Sequence, residues 1–167
     1  LKAATAEAKT LIDPALPRRP LVGINGEIFL RSHRFSNCDL ARECEKAGLE
    51  VIVSPMGEWM KYITHRHIED GVRERQLKKT FEGYIKKLIQ DRDEQSVAVN
   101  FNGMLDVKEP TTREILSFSR MYLSPKCGSE AVLSLGSGID WLESPAYAGV
   151  ISVMPHGCMP GGIVAAM

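Results

Sequence analysis

Cys158 stands in VISVMPHGCMPGG, residues 150 to 162, between Gly157 and a Met-Pro pair at the exit of an apolar run. With a helix start behind it, backbone N–H groups and the helix dipole would favour a thiolate there. A thiolate is a nucleophile or a metal ligand; the alternative is a small residue filling a tight turn. His156, two residues earlier, adds one more ligand at most. Glu27 and Glu58 each follow an apolar run and could act as paired carboxylates in acid–base work. Glu58 reads equally as a charge that stabilises the first turn of a helix. Arg31 could hold a phosphate or carboxylate, or hold nothing. Asn37 in FSN completes the set.

Several chemistries are absent from the pattern. There is no CxxC, and His33, His65, His67 and His156 lack the paired spacing of a structural zinc site. No GxxxxGK[ST] loop occurs, GINGEI does not match GxGxxG, and the Gly-Ser-Gly at 136 to 138 falls inside a predicted helix.

The elements that must position these residues follow from periodicity. LVGING is a buried strand ending in a turn, and CDLARECEKAG repeats Leu40, Cys44 and Ala47 at helical spacing with Gly48 as its C-cap. Val51 to Val53 form a second strand, so strand, helix and strand make a βαβ unit with parallel strands. Cys44 is expected to pack in the core, whereas Cys38 and Cys127 follow loop signals. From Met56 onwards the chain is highly charged, with an apolar stripe of Phe81, Tyr84, Ile85 and Leu88. Two helices joined near HRHIEDG are expected, and residues 91–110 read as a helix continuation or a short strand. Thr111 and Glu114 form a capping-box pattern. Ser129 and Glu130 open a helix whose face carries Val132, Leu135, Ile139 and Leu142, with Gly136 and Gly138 permitting close packing on a sheet. GVISVMP is the third strand.

The expected fold is therefore α/β, an open parallel sheet with helices on both faces, flavodoxin-like or Rossmann-like. Ligands of such sheets bind at the carboxyl ends of the strands. That edge gathers GEIFLRSHRFSN, SPMGEW and MPHGCMPGG, and with them Glu27, Arg31, Asn37, Glu58, His156 and Cys158. Residues 1–19, with three prolines in PALPRRP, read as a linker or the tail of a preceding domain. Residues 20–167 read as the α/β domain with a helical insertion at about 55–125. The start at Leu1 and the stop at GGIVAAM suggest a fragment of a larger multidomain chain, truncated at its C-terminus.

Bulk composition excludes some classes. Lys plus Arg total 21 and Asp plus Glu total 21, so no net field draws the chain to nucleic acid or anionic lipid. No apolar run reaches the roughly 20 residues that span a bilayer, and no signal pattern opens the chain. A cytoplasmic protein with reduced thiols is the expectation.

VGINGEIFLR, RFSNCDLARECEKAGLEVIVSPMGEW, GSEAVLSLGSGIDWL and GVISVMPHGCMPGGIV together resemble the 2-hydroxyacyl-CoA (2-hydroxyglutaryl-CoA) dehydratase D-component-like family. Within it they look most like the segment following the ATPase modules of large CoA-substrate-specific enzyme activase proteins. The resemblance spans about residues 20 to 167 and rests on GEI-x-x-R, FSN and P-x-x-C-M-P-G in that order. It implies an iron–sulfur cluster in the full-length protein and an ATPase activase, in the same chain or a partner subunit, that passes it one electron. ATP enters only through that other domain or partner, and the substrate implied is an acyl-CoA. Cys158 matches the cysteine of the last element and is implied as a cluster ligand. The other ligands would lie downstream of Met167, and the segment alone would be inactive. Glu27, Arg31 and Asn37 match pocket positions. Two rival expectations remain: a docking or regulatory module between activase and acceptor with no cluster, and a small-ligand domain holding an acyl-CoA or phosphate through Arg31.

Overall fold

The computed structural model describes residues 1–13, 15–101 and 109–167. Its centre is β1 (Leu21–Gly26), in which every residue from Val22 to Gly26 is buried. A strand covered on both faces needs a continuous apolar or small-residue run rather than an alternating one, and VGING supplies it. Beside β1 lie β2 (Glu50–Val53) and β3 (Tyr147–Val153), both parallel to it, in the order β2-β1-β3. Register runs from Leu21↔Glu50 to Ile24↔Val53 on one side and from Val22↔Gly149 to Gly26↔Val153 on the other. The expected open parallel α/β sheet is thus present.

Crossovers between parallel strands are right-handed, so adding β2 and β3 on opposite sides of β1 puts their helices on opposite faces. On one face α3 (Leu40–Lys46) packs on β2, and on the other α7 (Glu130–Glu143) packs on β1 and β3. Cys44 is buried on α3, as its spacing predicts. Gly48, at φ +89°, ends that helix in the left-handed conformation that glycine adopts without strain.

α7 is buried on every side through its first half, from Ala131 to Gly138. The reason is α6 (Thr112–Ser119), which covers the face of α7 turned away from the sheet and buries Ile115, Leu116 and Ser119. The two glycines divide the work: Gly136 lies against the Ile115 backbone, and Gly138 faces Asn25 and Val150 of the sheet. The predicted face is correct for Val132 and Leu135, but Leu142 is exposed and Trp141 takes its place. The indole fits because Gly23 of β1 has no side chain to meet it. The α6 capping box forms as predicted, with Thr111 N–H donating to Glu114 and Glu114 N–H to Thr111 Oγ1.

The described residues fall into two compact units. The sheet unit comprises Arg18–Trp59 and Thr111–Met167; the helical unit comprises Leu1–Pro17 and Met60–Pro110. The helical segment therefore closes at Pro110 rather than near 125, because α6 belongs with α7. Within residues 1–19, α1 (Lys2–Thr10) is helical, and it groups with the helical unit.

In the helical unit, α4 (Met56–Arg73), from Met60 onwards, and α5 (Leu77–Ala98) form a hairpin. Its turn falls at residues 74–76 and not at HRHIEDG, which lies within α4. Gly71 acts as a packing residue against Thr80 rather than as a stop, and the reversal is made by Arg75 at φ +55°. Gly83 likewise admits Ile68, and Lys61 pairs with Glu94. The helix alternative holds for residues 91 to 98, followed by a 3₁₀ turn at Val99–Phe101; residues 102–108 lie outside the described residues.

Candidate functional site at the carboxyl edge of the sheet

β1 is where the direction of strand addition reverses, so the crevice between the carboxyl ends of β1 and β3 is a topological switch point. Gly26 ends β1 at φ +113°, and a Cβ there would overlap the Val153 carbonyl. Only glycine allows this approach, after which Glu27 N–H donates to Val153 O at 2.9 Å and locks the two exits together. The chain then turns into α2 (Ile28–Ser32).

The Glu27 carboxylate caps α2, accepting from Phe29 N–H at 3.0 Å and Leu30 N–H at 2.6 Å. Each of its oxygens thereby accepts from a backbone donor, which supports capping over general-base work. Arg31 is 7% exposed, donating from Nη1 to Gly26 O at 2.8 Å and from Nη2 to Pro55 O at 3.4 Å. The guanidinium is a strap across the exits of β1 and β2. Burial lowers its pKa, while Glu58, Glu130 and Glu27 oppose that shift. Three carboxyl groups around one buried cation disfavour a phosphate in the same place.

Asn37 braces the next turn. Its Nδ2 donates to Leu30 O and Arg31 O, both at 3.0 Å, and its Oδ1 accepts from Leu40 N–H at 3.3 Å. It joins the end of α2 to the start of α3, a positioning role. Glu58 sits in the first turn of α4 and acts on Arg31 through its charge. Glu130, in the first turn of α7, completes the set by accepting from the Ile28 backbone. Sequence reading treats Glu130 only as a helix start; nothing in its spacing from Arg31 signals that the two meet.

Burial and the nearby Glu27 raise the Glu130 pKa against the pull of Arg31. A raised folded pKa in an acid stabilises the protonated fold, an advantage lost as pH rises through that pKa. Glu130→Gln keeps an acceptor for Ile28 without the charge. Its melting temperature relative to wild type should therefore be higher at pH 8 than at pH 4, as thermal denaturation at the two values would show. An equal difference at both would mean that the fold does not raise the pKa of this carboxyl.

After β3 the chain reaches exposed His156, then Gly157 at φ +74°. Cys158 is half-buried at the N-cap of α8 (Met159–Ala166), its carbonyl accepting from Gly162 N–H at 2.9 Å. The expected placement of this thiol at a helix start on the sheet edge is observed. The structure gathers Glu27, Arg31 and Glu58 into one charged cluster and ties Asn37 to it. His156 and Cys158 share the edge but are not among the groups acting on Arg31. Cys38 and Cys127 are exposed. A shallow concavity lined by Ser32, His33, Arg34, Phe35, Cys38 and Asp39 contains none of the candidate residues.

An iron–sulfur cluster takes about four ligands, usually thiolates. Among the described residues no three His, Cys, Asp or Glu side chains group closely enough to hold a metal. Cys158 offers one ligand, and these residues do not complete a set around it. No helix among them is long and apolar enough to cross a membrane. Compared with protein-family models, curated proteins and solved structures, the chain matches none of them.

Proposed function

We propose that this chain supplies the α/β domain of a cytoplasmic iron–sulfur protein of the 2-hydroxyacyl-CoA dehydratase or CoA-substrate-specific activase type. The observation that carries this reading is convergence. GEI-x-x-R and P-x-x-C-M-P-G, more than a hundred residues apart, leave neighbouring parallel strands at the switch point, where Glu27 of the first is bonded to Val153, the end of the strand that leads into the second. FSN is tied to the same edge through Asn37. A bound cluster would supply low-potential electron transfer to a CoA-linked substrate, with ATP used by a separate activase domain or partner. Within this domain Cys158 is the proposed ligand, with the remaining thiolates coming from outside the described residues. Arg31, Glu27 and Asn37 hold the loops in place.

The test is iron and acid-labile sulfide in the full-length protein prepared without oxygen, compared with Cys158→Ser and Cys127→Ser. Loss of most of the iron in Cys158→Ser alone is the expected result. Equal iron in all three removes Cys158 from coordination.

A second reading, a docking or regulatory module without its own cluster, has its own observation. The expected α5 stripe of Phe81, Tyr84, Ile85 and Leu88 is exposed, since the hairpin packs through Thr80 and Gly83 instead. An apolar stripe turned outward is the mark of an interaction surface. Equal iron in all three proteins, with activase still captured by the full-length chain, would favour it.

A further inference from the structure

Three buried polar side-chain atoms near the exits of β1 and β2 have no hydrogen-bond partner among the described residues: Asn25 Oδ1, Ser54 Oγ and Arg31 Nε. Their residues are 1%, 3% and 7% exposed. Leaving a buried polar atom unpaired is destabilising, so three near the same strand exits call for a shared explanation.

Topology brings them together. Ile24 pairs with Val53, and Ser54 N–H donates to Ile24 O at 2.9 Å, so the ladder continues one step and sets Asn25 beside Ser54. Residues at matched positions of neighbouring strands share a face, with strands about 4.8 Å apart. Asn25 faces α7, because its Nδ2 donates to Ser134 O at 2.8 Å. That bond also fixes the amide orientation: the reverse assignment would set two oxygens against each other. Arg31 binds the carbonyls of the next residue on each side, Gly26 and Pro55.

We infer that Asn25 Oδ1, Ser54 Oγ and Arg31 Nε line a recess for one neutral hydroxyl-type oxygen, belonging to a bound water or to the hydroxyl group of a small ligand. The chemistry selects that class. Arg31 Nε donates, Asn25 Oδ1 accepts and Ser54 Oγ does either, so the guest must both accept and donate, as a hydroxyl does and a bare anion does not. Three partners are what a buried water commonly has. Glu27, Glu58 and Glu130 around Arg31 disfavour an anion in the same place. This inference does not depend on the cluster reading.

High-resolution crystal structures of the full-length protein test it, grown without polyol and then soaked in ethylene glycol. A compact density peak within hydrogen-bond distance of all three atoms is expected in the first. If a glycol hydroxyl replaces the peak on soaking, the recess accepts ligand hydroxyls; if the peak persists, its guest is water, and both results support the recess. Ser54→Ala should lower the occupancy of that peak. The inference is overturned by no density there, by an anion there, by the three atoms pairing with protein groups, or by full occupancy in Ser54→Ala.

Discussion

Arg31→Met lowers stability by about 3 kcal/mol, the expected loss when one partner is removed from a buried charge cluster. Methionine approximates the length of the arginine stem, so packing is largely kept and the charge and its donors are lost. Gly26 O and Pro55 O each lose a donor, and Glu27, Glu58 and Glu130 are left without the cation among them. Urea denaturation followed by circular dichroism reads the effect as a lower midpoint at unchanged slope. Arg34 is the control: it makes a bidentate pair with Asp39 at 2.8 Å for both bonds, yet in the open. Exposed pairs are screened and contribute little, so Arg34→Met should leave the midpoint nearly unchanged. Equal midpoints for wild type and Arg31→Met would show that the guanidinium does not strap the strand exits.

Gly136→Ala and Gly162→Ala are the same substitution with opposite expected signs. In each helix alanine gains about 1 kcal/mol in propensity. At Gly162 a Cβ meets nothing, so that gain should appear as a higher melting temperature. At Gly136 the Cβ would overlap the Ile115 carbonyl, a backbone atom that cannot swing aside. Overpacking of this kind costs about 1–3 kcal/mol and occasionally more. A net loss of up to about 2 kcal/mol is therefore expected, through separation of α6 from α7. Stabilisation by Gly136→Ala would contradict the close packing of those helices.

The sheet and its edge are legible in the sequence because their signals are local. The runs LVGI, VIV and VISV, the Thr111 and Glu114 capping box and the Cys44 spacing each need only a few adjacent residues. What escapes depends on distant partners. The α4–α5 reversal at Arg75 carries no glycine or proline, while Gly71, which looks like a stop, is needed for contact with Thr80. Trp141 replaces Leu142 in the core because a glycine more than a hundred residues earlier leaves room for its ring. The site divides in the same way. Helix and strand patterns place Glu27, Arg31, Asn37, Glu58, His156 and Cys158 on one edge. Whether an arginine there faces solvent or spans two carbonyls depends on tertiary packing, and so does the arrival of Glu130 at Ile28. Capping and bracing occupy Glu27 and Asn37, leaving His156 and Cys158 as the edge residues whose chemistry the fold does not consume.

Iron at that thiol can be sought directly. Crystals of the full-length protein grown without oxygen, measured above and below the iron absorption edge, would locate the metal. Anomalous density bonded to Cys158 Sγ at the start of α8 is the expected outcome. Iron bound elsewhere with Cys158 free would contradict the proposed ligation.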